Sequence, residues 1–339
     1  MTKLRRSDPA VLATVSYSFV EDWLSALRTY CSDREMNSFL DRAGMGFDQP
    51  GHAQRVTLDQ IVRLYQIAAI ETEDEMMGLW SRPIRSRALQ HLITTIREAS
   101  TLHSALHRFT TFWNLLLDDF RFGLNEKDGA IVLQLHPLGD LPIQRFGHML
   151  IMKLAHGLIS WLAEYEVPVR EVEFAFERPV FAEDYAVIFP ASVGFGAPLS
   201  SISFEKSGFV PPKKHGNPEL TSFLYRAPRD WIFTSYWEHT LSLQIREFIY
   251  RSEWEKCQLD DAARVLGVTP RTLMRRLEAE GTSFQSIKDG LRRDMAIREL
   301  QSGNRSIEEV SQDVGFSSAS NFHRAFRKWT GANPSEYRK

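Results

Sequence analysis

Leu259-Asp260-Asp261-Ala262-Ala263-Arg264-Val265-Leu266-Gly267-Val268-Thr269-Pro270-Arg271-Thr272-Leu273-Met274-Arg275-Arg276-Leu277 is the stretch that decides the reading of this chain. Leu259, Ala262, Ala263 and Leu266 stand at i, i+3, i+4 and i+7 and so share one face of a helix. Gly267-Val268 turns the chain, Thr269 offers an N-cap oxygen, and Pro270 takes the first helical position, where a missing N–H costs nothing. Leu273 and Leu277 give the second helix an edge to bury. The pattern returns nearer the end of the chain: Ile307, Val310, Ser311 and Val314 on one face, Gly315-Phe316 at the turn, Ser317-Ser318 as caps, and Phe322 with Phe326 as the buried pair. From turn glycine to first buried residue is 6 positions in the first copy and 7 in the second, so the second turn is one residue longer.

The outward faces of the second helices point to function. Residues three and four apart share a face, which sets Arg271, Met274 and Arg275, with Thr272 beside them, away from the Leu273/Leu277 edge. Ser320, His323, Arg324 and Arg327 lie opposite Phe322 and Phe326 in the same way. A recognition helix in a major groove needs this division, an apolar face seated on its partner and short polar or Arg side chains toward base edges and phosphates. One amphipathic helix with outward Arg is ordinary; two at matching offsets point to DNA. These eight residues are the candidate DNA contacts.

The segment between the copies is predicted to be a single helix over about 284–301. Thr282 and Gln285 fit a capping box, Phe284, Ile287, Leu291 and Met295 form an apolar stripe, and Gly303 ends it. Its length is about 27 Å at the helical rise, against about 34 Å between successive major-groove faces on one side of B-DNA. The second copy has a capping box of its own, Ser306 with Glu309.

These residues carry a family likeness. Residues 245 to 338 resemble the DNA-binding domain of the AraC/XylS transcription regulators: Gly315-Phe316, Phe322, Arg324, Phe326-Arg327, Gly331, Pro334 and Tyr337-Arg338 match its closing signature. Thr269 to Leu273, Arg275 to Leu277 and Gly281 to Phe284 resemble one branch of that family. Ser311 stands where Ala is usual, and Asn333 where Thr or Ser often precedes the proline.

Composition bounds the remainder. From Glu238 to Lys339 there are 17 Lys/Arg against 15 Asp/Glu, within a chain of formal net charge −2. So small an excess argues against coating DNA by phosphate neutralisation and for a few placed Arg residues. Cys31 and Cys257 fall in different predicted domains, which leaves no disulfide framework and suggests a reducing, cytoplasmic compartment, nucleoid-associated when on DNA. Lys3, Arg5 and Arg6 are followed by no apolar leader run, and no apolar stretch reads as long enough to span a membrane.

The predicted fold class is an α+β N-terminal effector domain, residues 1–231, followed by an all-α DNA-binding domain, 236–339. The latter holds two helix-turn-helix motifs, about 257–280 and 306–329, joined by the linker helix. In the N-terminal part helices are predicted near 20–30, 33–43, 57–70, 84–98, 101–117 and 143–164, and strands over 120–124, 130–136 and 170–176. Short pieces at 193–195 and 200–204 read as edge strands, 181–189 as helical, and 208–218 as loop. Residues 15 to 230 resemble the effector and dimerisation domain of a branch labelled arabinose-binding-like. The cues are Thr57-Leu58, Leu102 to Ala105 after Ser100-Thr101, the hairpin, and Phe195-Gly196-Ala197-Pro198. The Arg82 to Arg87 cluster departs from the Gly-rich approach common there.

Rival chemistry is weak. His103 and His107 are four apart on a predicted helix, but no third metal ligand is in reach of the pattern. Asp118-Asp119 and Glu71 to Glu75 read as solvated helix ends, and Phe109, Phe112 and Trp113 as core. No enzyme signature, metal or cofactor is called for. The resemblance implies a one-component regulator that binds double-stranded promoter DNA, takes a small-molecule effector and forms a homodimer, with RNA polymerase a further candidate partner. The alternative is a constitutive DNA-binding regulator whose N-terminal domain only dimerises or contacts another protein.

Overall fold

The computed structural model describes residues 14–46, 54–139, 142–232, 241–252, 254, 257–279, 282–303 and 305–338. The strands are β1 (Thr14–Ser16), β2 (Arg55–Thr57), β3 (Phe120–Lys127), β4 (Ala130–Pro137), β5 (Val169–Phe174), β6 (Ser192–Phe195) and β7 (Ser200–Glu205). The helices are α1 (Tyr17–Leu27), α2 (Asp33–Ala43), α3 (Leu58–Glu71), α4 (Ala88–Ile96), α5 (Leu102–Leu116), α6 (Arg145–Ala163), α7 (Asn217–Tyr225) and α8 (Arg229–Ile232), then α9 (Leu241–Arg251), α10 (Leu259–Val265), α11 (Pro270–Ala279), α12 (Phe284–Ser302), α13 (Ile307–Asp313) and α14 (Ala319–Thr330). By contact the described residues fall into two units, one within 19–46 and 60–232, the other within 14–18, 54–59 and 241–338.

The first unit is α+β. β3, β4, β7, β5 and β6 form one sheet in that order, antiparallel except for the β5–β6 pair. β7 therefore lies in the middle of the sheet, not at its edge, because Ser200 to Glu205 pair with β4 on one side and β5 on the other. Its buried Ile202 and Phe204 are suited to that place. The stretch 181–189 contains a 3₁₀ turn, Ala182–Val187. α6 is long and apolar enough to cross a membrane, contrary to the sequence reading, yet 94% of its apolar window is buried inside the fold, where it serves as a core helix.

Helix α6 carries polar groups into that core. Lys153 Nζ lies 3.1 Å from His156 Nδ1, and His156 Nε2 lies 3.0 Å from the Val167 carbonyl. Burial pushes the Lys153 ammonium down to about 8, and Glu166 opposes the shift. Asp74 and Glu75 are not solvated ends. Asp74 is buried and accepts from the backbone N–H groups of Met76 (2.9 Å), Gly78 (2.8 Å) and Ile84 (2.8 Å). Glu75 accepts from Arg87 N (2.6 Å) and Leu89 N (2.7 Å), at the start of α4. A run of acidic residues after a helix reads as solvent-facing only while the loop that folds back over it is unknown.

The second unit is helical apart from β1 and β2, which pair antiparallel with Val15 opposite Val56. The expected division at 231/236 leaves these two strands with the N-terminal domain, whereas contact places them with the C-terminal helices. Each is three residues long, too short to show a periodicity. The helix expected to begin near Tyr236 is described from Leu241; Tyr236, Gly281, Lys3, Arg5 and Arg6 lie outside the described residues.

Candidate nucleic-acid interface

The two copies close their turns identically. Gly267 N–H donates to Arg264 O (3.2 Å) and Val268 N–H to Ala263 O (3.0 Å); Gly315 N–H donates to Gln312 O (2.9 Å) and Phe316 N–H to Ser311 O (3.0 Å). This is the Schellman closure, which requires a left-handed residue, and the two glycines have φ of 66° and 81°. The extra residue of the second copy comes after this closure. Val268 alone separates Gly267 from the cap Thr269, whereas Phe316 and Ser317 separate Gly315 from the cap Ser318.

Each second helix is started by the cap the sequence supplies. Thr269 Oγ1 accepts from Thr272 N at 3.2 Å, and Ser318 Oγ accepts from Asn321 N at 3.3 Å. Such caps stabilise by about 1 kcal/mol. Ser306 and Glu309 form the predicted capping box. At α12 the cap is one residue later than predicted: Ser283 accepts from Ser286 N at 3.1 Å, and Gln285 turns to Asp289 at 2.9 Å.

Two separate apolar clusters seat the helices, and α12 runs through both. Leu273 and Leu277 pack with Ile245, Ile249, Ala262 and Ala263 and with Ile287 and Leu291 of α12. Phe322 and Phe326 pack with Val310, Val314 and Tyr337 and with Ala296, Ile297 and Leu300 of α12. Burying a Leu or Phe is worth about 1.5–3 kcal/mol each, so the side chains that turn α11 and α14 are fixed by their apolar edges.

With the apolar edges inward, Arg271, Met274 and Arg275 of α11 are exposed, and so are Ser320, Arg324 and Arg327 of α14. Thr272 is half-buried and lies 2.9 Å, oxygen to oxygen, from the capping Thr269. His323 is half-buried, its ring edge-on to Phe322 at 6.2 Å. Arg324 is held in place by Asn321, whose Oδ1 accepts from Nη2 at 2.6 Å. Asn321, Arg276 and Lys328 share the exposed surface of the two helices and were not among the candidates. The signal for Asn321 was its place three residues before Arg324, the helical spacing that lets an amide steer a guanidinium.

The joint between the halves is polar and aromatic. The Arg292 guanidinium of α12 lies over the Trp254 ring at 5.0 Å and the Phe316 ring at 5.1 Å, and burial lowers its pKa. Two residues on, Asp294 is 2% exposed and accepts from Arg246 Nη2 (2.8 Å) and Arg293 Nε (3.0 Å). Thr14 of β1 donates its hydroxyl to the same carboxylate and accepts from Arg55 Nε of β2 at 2.9 Å. Arg55 N–H in turn donates to the Tyr337 hydroxyl at 2.8 Å. The strand pair is thus fastened to the middle of α12, between the two helix-turn-helix motifs.

Residues 34–210 match the profile described as the arabinose-binding domain of AraC transcription regulator, N-terminal, and residues 262–339 match a helix-turn-helix domain. The chain is 28% identical over 225 residues to the ornithine utilization regulator of Pseudomonas aeruginosa, 66% of this chain and 64% of that protein. It is 34% identical over 238 residues to the transcriptional regulator VirS of Mycobacterium tuberculosis, 70% of this chain and 66% of that protein. It therefore spans less than two thirds of the length of either relative. The crystal structure of the transcriptional regulator CdpR from Pseudomonas aeruginosa is similar over 99% of both chains, at 19% identity and a TM-score of 0.31.

Proposed function

The chain belongs to the AraC family of transcription regulators, and from that premise we propose that it binds promoter DNA in a sequence-specific way under control of a small effector. The observation that carries the reading is the pair of helix-turn-helix motifs closed by the same turn and seated on one helix, with Arg271 and Arg275 outward on the first and Ser320 and Arg324 outward on the second. Arg reads guanine bidentately, and a contact of that kind discriminates by about 1–3 kcal/mol per base pair. The first motif, denser in Arg, supplies more of the specificity. Met274 meets a thymine methyl or a sugar edge, and Thr272, His323 and Arg327 complete the contacts.

The effector acts through the unit within residues 19–46 and 60–232, by binding one arrangement of the protein more tightly than another. Two copies joined through that unit present four recognition helices to a pair of half-sites. The protein works in the cytoplasm, with RNA polymerase as its partner at the promoter.

Footprinting tests the DNA reading: protection spanning two adjacent major-groove segments is expected, and protection no longer than one motif overturns tandem reading. The effector reading is tested by thermal shift on the full chain against a metabolite panel headed by ornithine, after the relative named for its use. A ligand that binds only the folded state raises its melting temperature. Silence across the panel, with operator binding intact, favours a constitutive regulator instead.

A further inference from the structure

The loop after α3 is folded on the buried carboxylate of Asp74, which holds three backbone N–H groups between Met76 and Ile84. The loop carries Trp80 and Ser81, and with Phe120, Leu135, Ile143 and His148 these line a cleft of about 270 Å³. That is near the lower end of small-ligand sites, about 300 Å³. The wall is rigid: Trp80 packs edge-to-face on Phe120 with ring centroids 5.0 Å apart, and His148 packs on Phe120 at 5.7 Å.

Two polar groups in this wall are left over. The Trp80 indole Nε1 is buried without a hydrogen-bond partner, whereas a buried indole N–H ordinarily finds one. His148 spends Nδ1 on Ser200 Oγ at 2.9 Å, and among the described residues Nε2 has no partner. Burial pushes the imidazole down to about 4, so it stays neutral near pH 7.

The charge of the lining is one-sided. Among the described lining residues Asp119 is the one Asp, Glu, Lys or Arg, its carboxylate positioned by Ser81 N (3.0 Å) and Ser81 Oγ (3.0 Å). Arg82, next in the chain, pairs with Asp118 at 3.7 Å and does not line the cleft. An anion entering here meets a carboxylate with no cation to offset it. A cation meets that carboxylate in a wall lined by the aromatic residues Trp80, Phe120 and Tyr30, whose rings attract positive charge.

We propose that this cleft is the effector site and that it takes a small organic amine that also carries a hydrogen-bond acceptor: an apolar body about the size of one substituted ring against Trp80 and Phe120, an ammonium toward Asp119, and the acceptor for the Trp80 indole N–H. The proposal rests on the effector-controlled reading and names the ligand class of that control.

The test uses the full chain labelled with 5-fluorotryptophan, the Trp80 resonance being assigned by its loss in Trp80→Phe. The probes are 2-phenylethylamine, 2-phenylethanol and phenylacetate, which share a ring and differ in charge. The amine is expected to shift the Trp80 resonance at concentrations about tenfold lower than phenylacetate, and Asp119→Asn, which keeps the side chain's shape and an acceptor oxygen for Ser81 N, should erase that preference. Equal binding of phenylacetate, or an unmoved Trp80 resonance at millimolar amine, overturns the site. Operator affinity measured on the same samples separates the two claims. An amine that saturates the Trp80 shift and leaves operator affinity unchanged refutes effector control through this cleft while the amine site stands. A metabolite that changes operator affinity without moving Trp80 refutes the site while effector control stands.

Discussion

The indole Nε1 of Trp254 donates to the backbone carbonyl of Asp313 at 2.7 Å. Trp254 belongs to the core of the first helix-turn-helix motif and Asp313 ends the first helix of the second, so this bond crosses the seam between them. Arg292 closes the same seam from α12, its guanidinium between the Trp254 and Phe316 rings and its Nη2 3.4 Å from the Gly315 carbonyl. The separation of the two readers is then set by the protein, and an operator must match it. Trp254→Phe keeps a ring and removes the donor, a loss of about 1 kcal/mol. We expect wild-type protein to reject an operator with one extra base pair between its two contacts, and Trp254→Phe to narrow that discrimination by about fivefold. An unchanged ratio in a gel-shift titration would show that the seam does not set the spacing.

The two turn glycines give a matched comparison. Both have left-handed φ, so either change to Ala costs about 1–2 kcal/mol in backbone strain. A Cβ at Gly267 meets nothing within 4 Å, but at Gly315 it falls 2.6 Å from Trp254 Cγ and 2.8 Å from its Cβ. Gly315→Ala must therefore push the Trp254 ring as well, at an overpacking cost of about 1–3 kcal/mol more. Urea unfolding of the two variants should rank them in that order, and equal losses would mean that Trp254 yields freely.

Much of this was legible in the sequence because the deciding features are local. The turn glycines, caps and apolar edges of α10, α11, α13 and α14 lie within a few residues of one another, where helical periodicity and capping chemistry operate. Arg271 and Arg275 are exposed because Leu273 and Leu277 are buried, a deduction that needs no tertiary information. What stayed hidden depends on contacts far apart in the chain. Thr14 meets Asp294 across 280 positions, and nothing near Thr14 or Arg55 marks them as parts of the C-terminal unit. Asp119 reads as a helix end until Ser81, 38 residues away, is seen to donate to both of its carboxylate oxygens at the lining of a cleft. The place of β7 within the sheet is likewise a matter of pairing partners, and its own alternation is the same at an edge or in the middle.

Ser311, which stands where Ala is usual in the family, has an energetic consequence. It stands on α13, 1% exposed, and its hydroxyl has no hydrogen-bond partner. A buried hydroxyl left unsatisfied costs about 1–3 kcal/mol, and the methyl of Ala fits the same space. Ser311→Ala should raise the melting temperature of the full chain without changing operator affinity. A lower melting temperature would mean that the hydroxyl makes a bond on which the fold depends.

Asp294 ties stability to pH. Burial alone would raise its carboxyl pKa, but Arg293, Arg246 and Arg55 and the Thr14 hydroxyl outweigh it and hold the group below its ordinary value. A depressed pKa means that the unfolded chain takes up the proton first as pH falls. The contribution is whole above the unfolded value, about 3.9, and is lost as pH drops through the lower folded value. Asp294→Asn keeps the shape and removes the charge, taking the buried counterion from Arg246, a loss of about 3–5 kcal/mol near neutral pH. From about pH 7 to about pH 4 the unfolding free energies of the two proteins should differ by a constant amount, and below about pH 4 the gap should begin to narrow, since the unfolded wild type takes up the proton there while the folded carboxylate keeps its charge. Curves that run parallel over the whole range would mean that the charge on Asp294 contributes nothing, and that Thr14 and Arg55 hold β1 and β2 on α12 by packing alone.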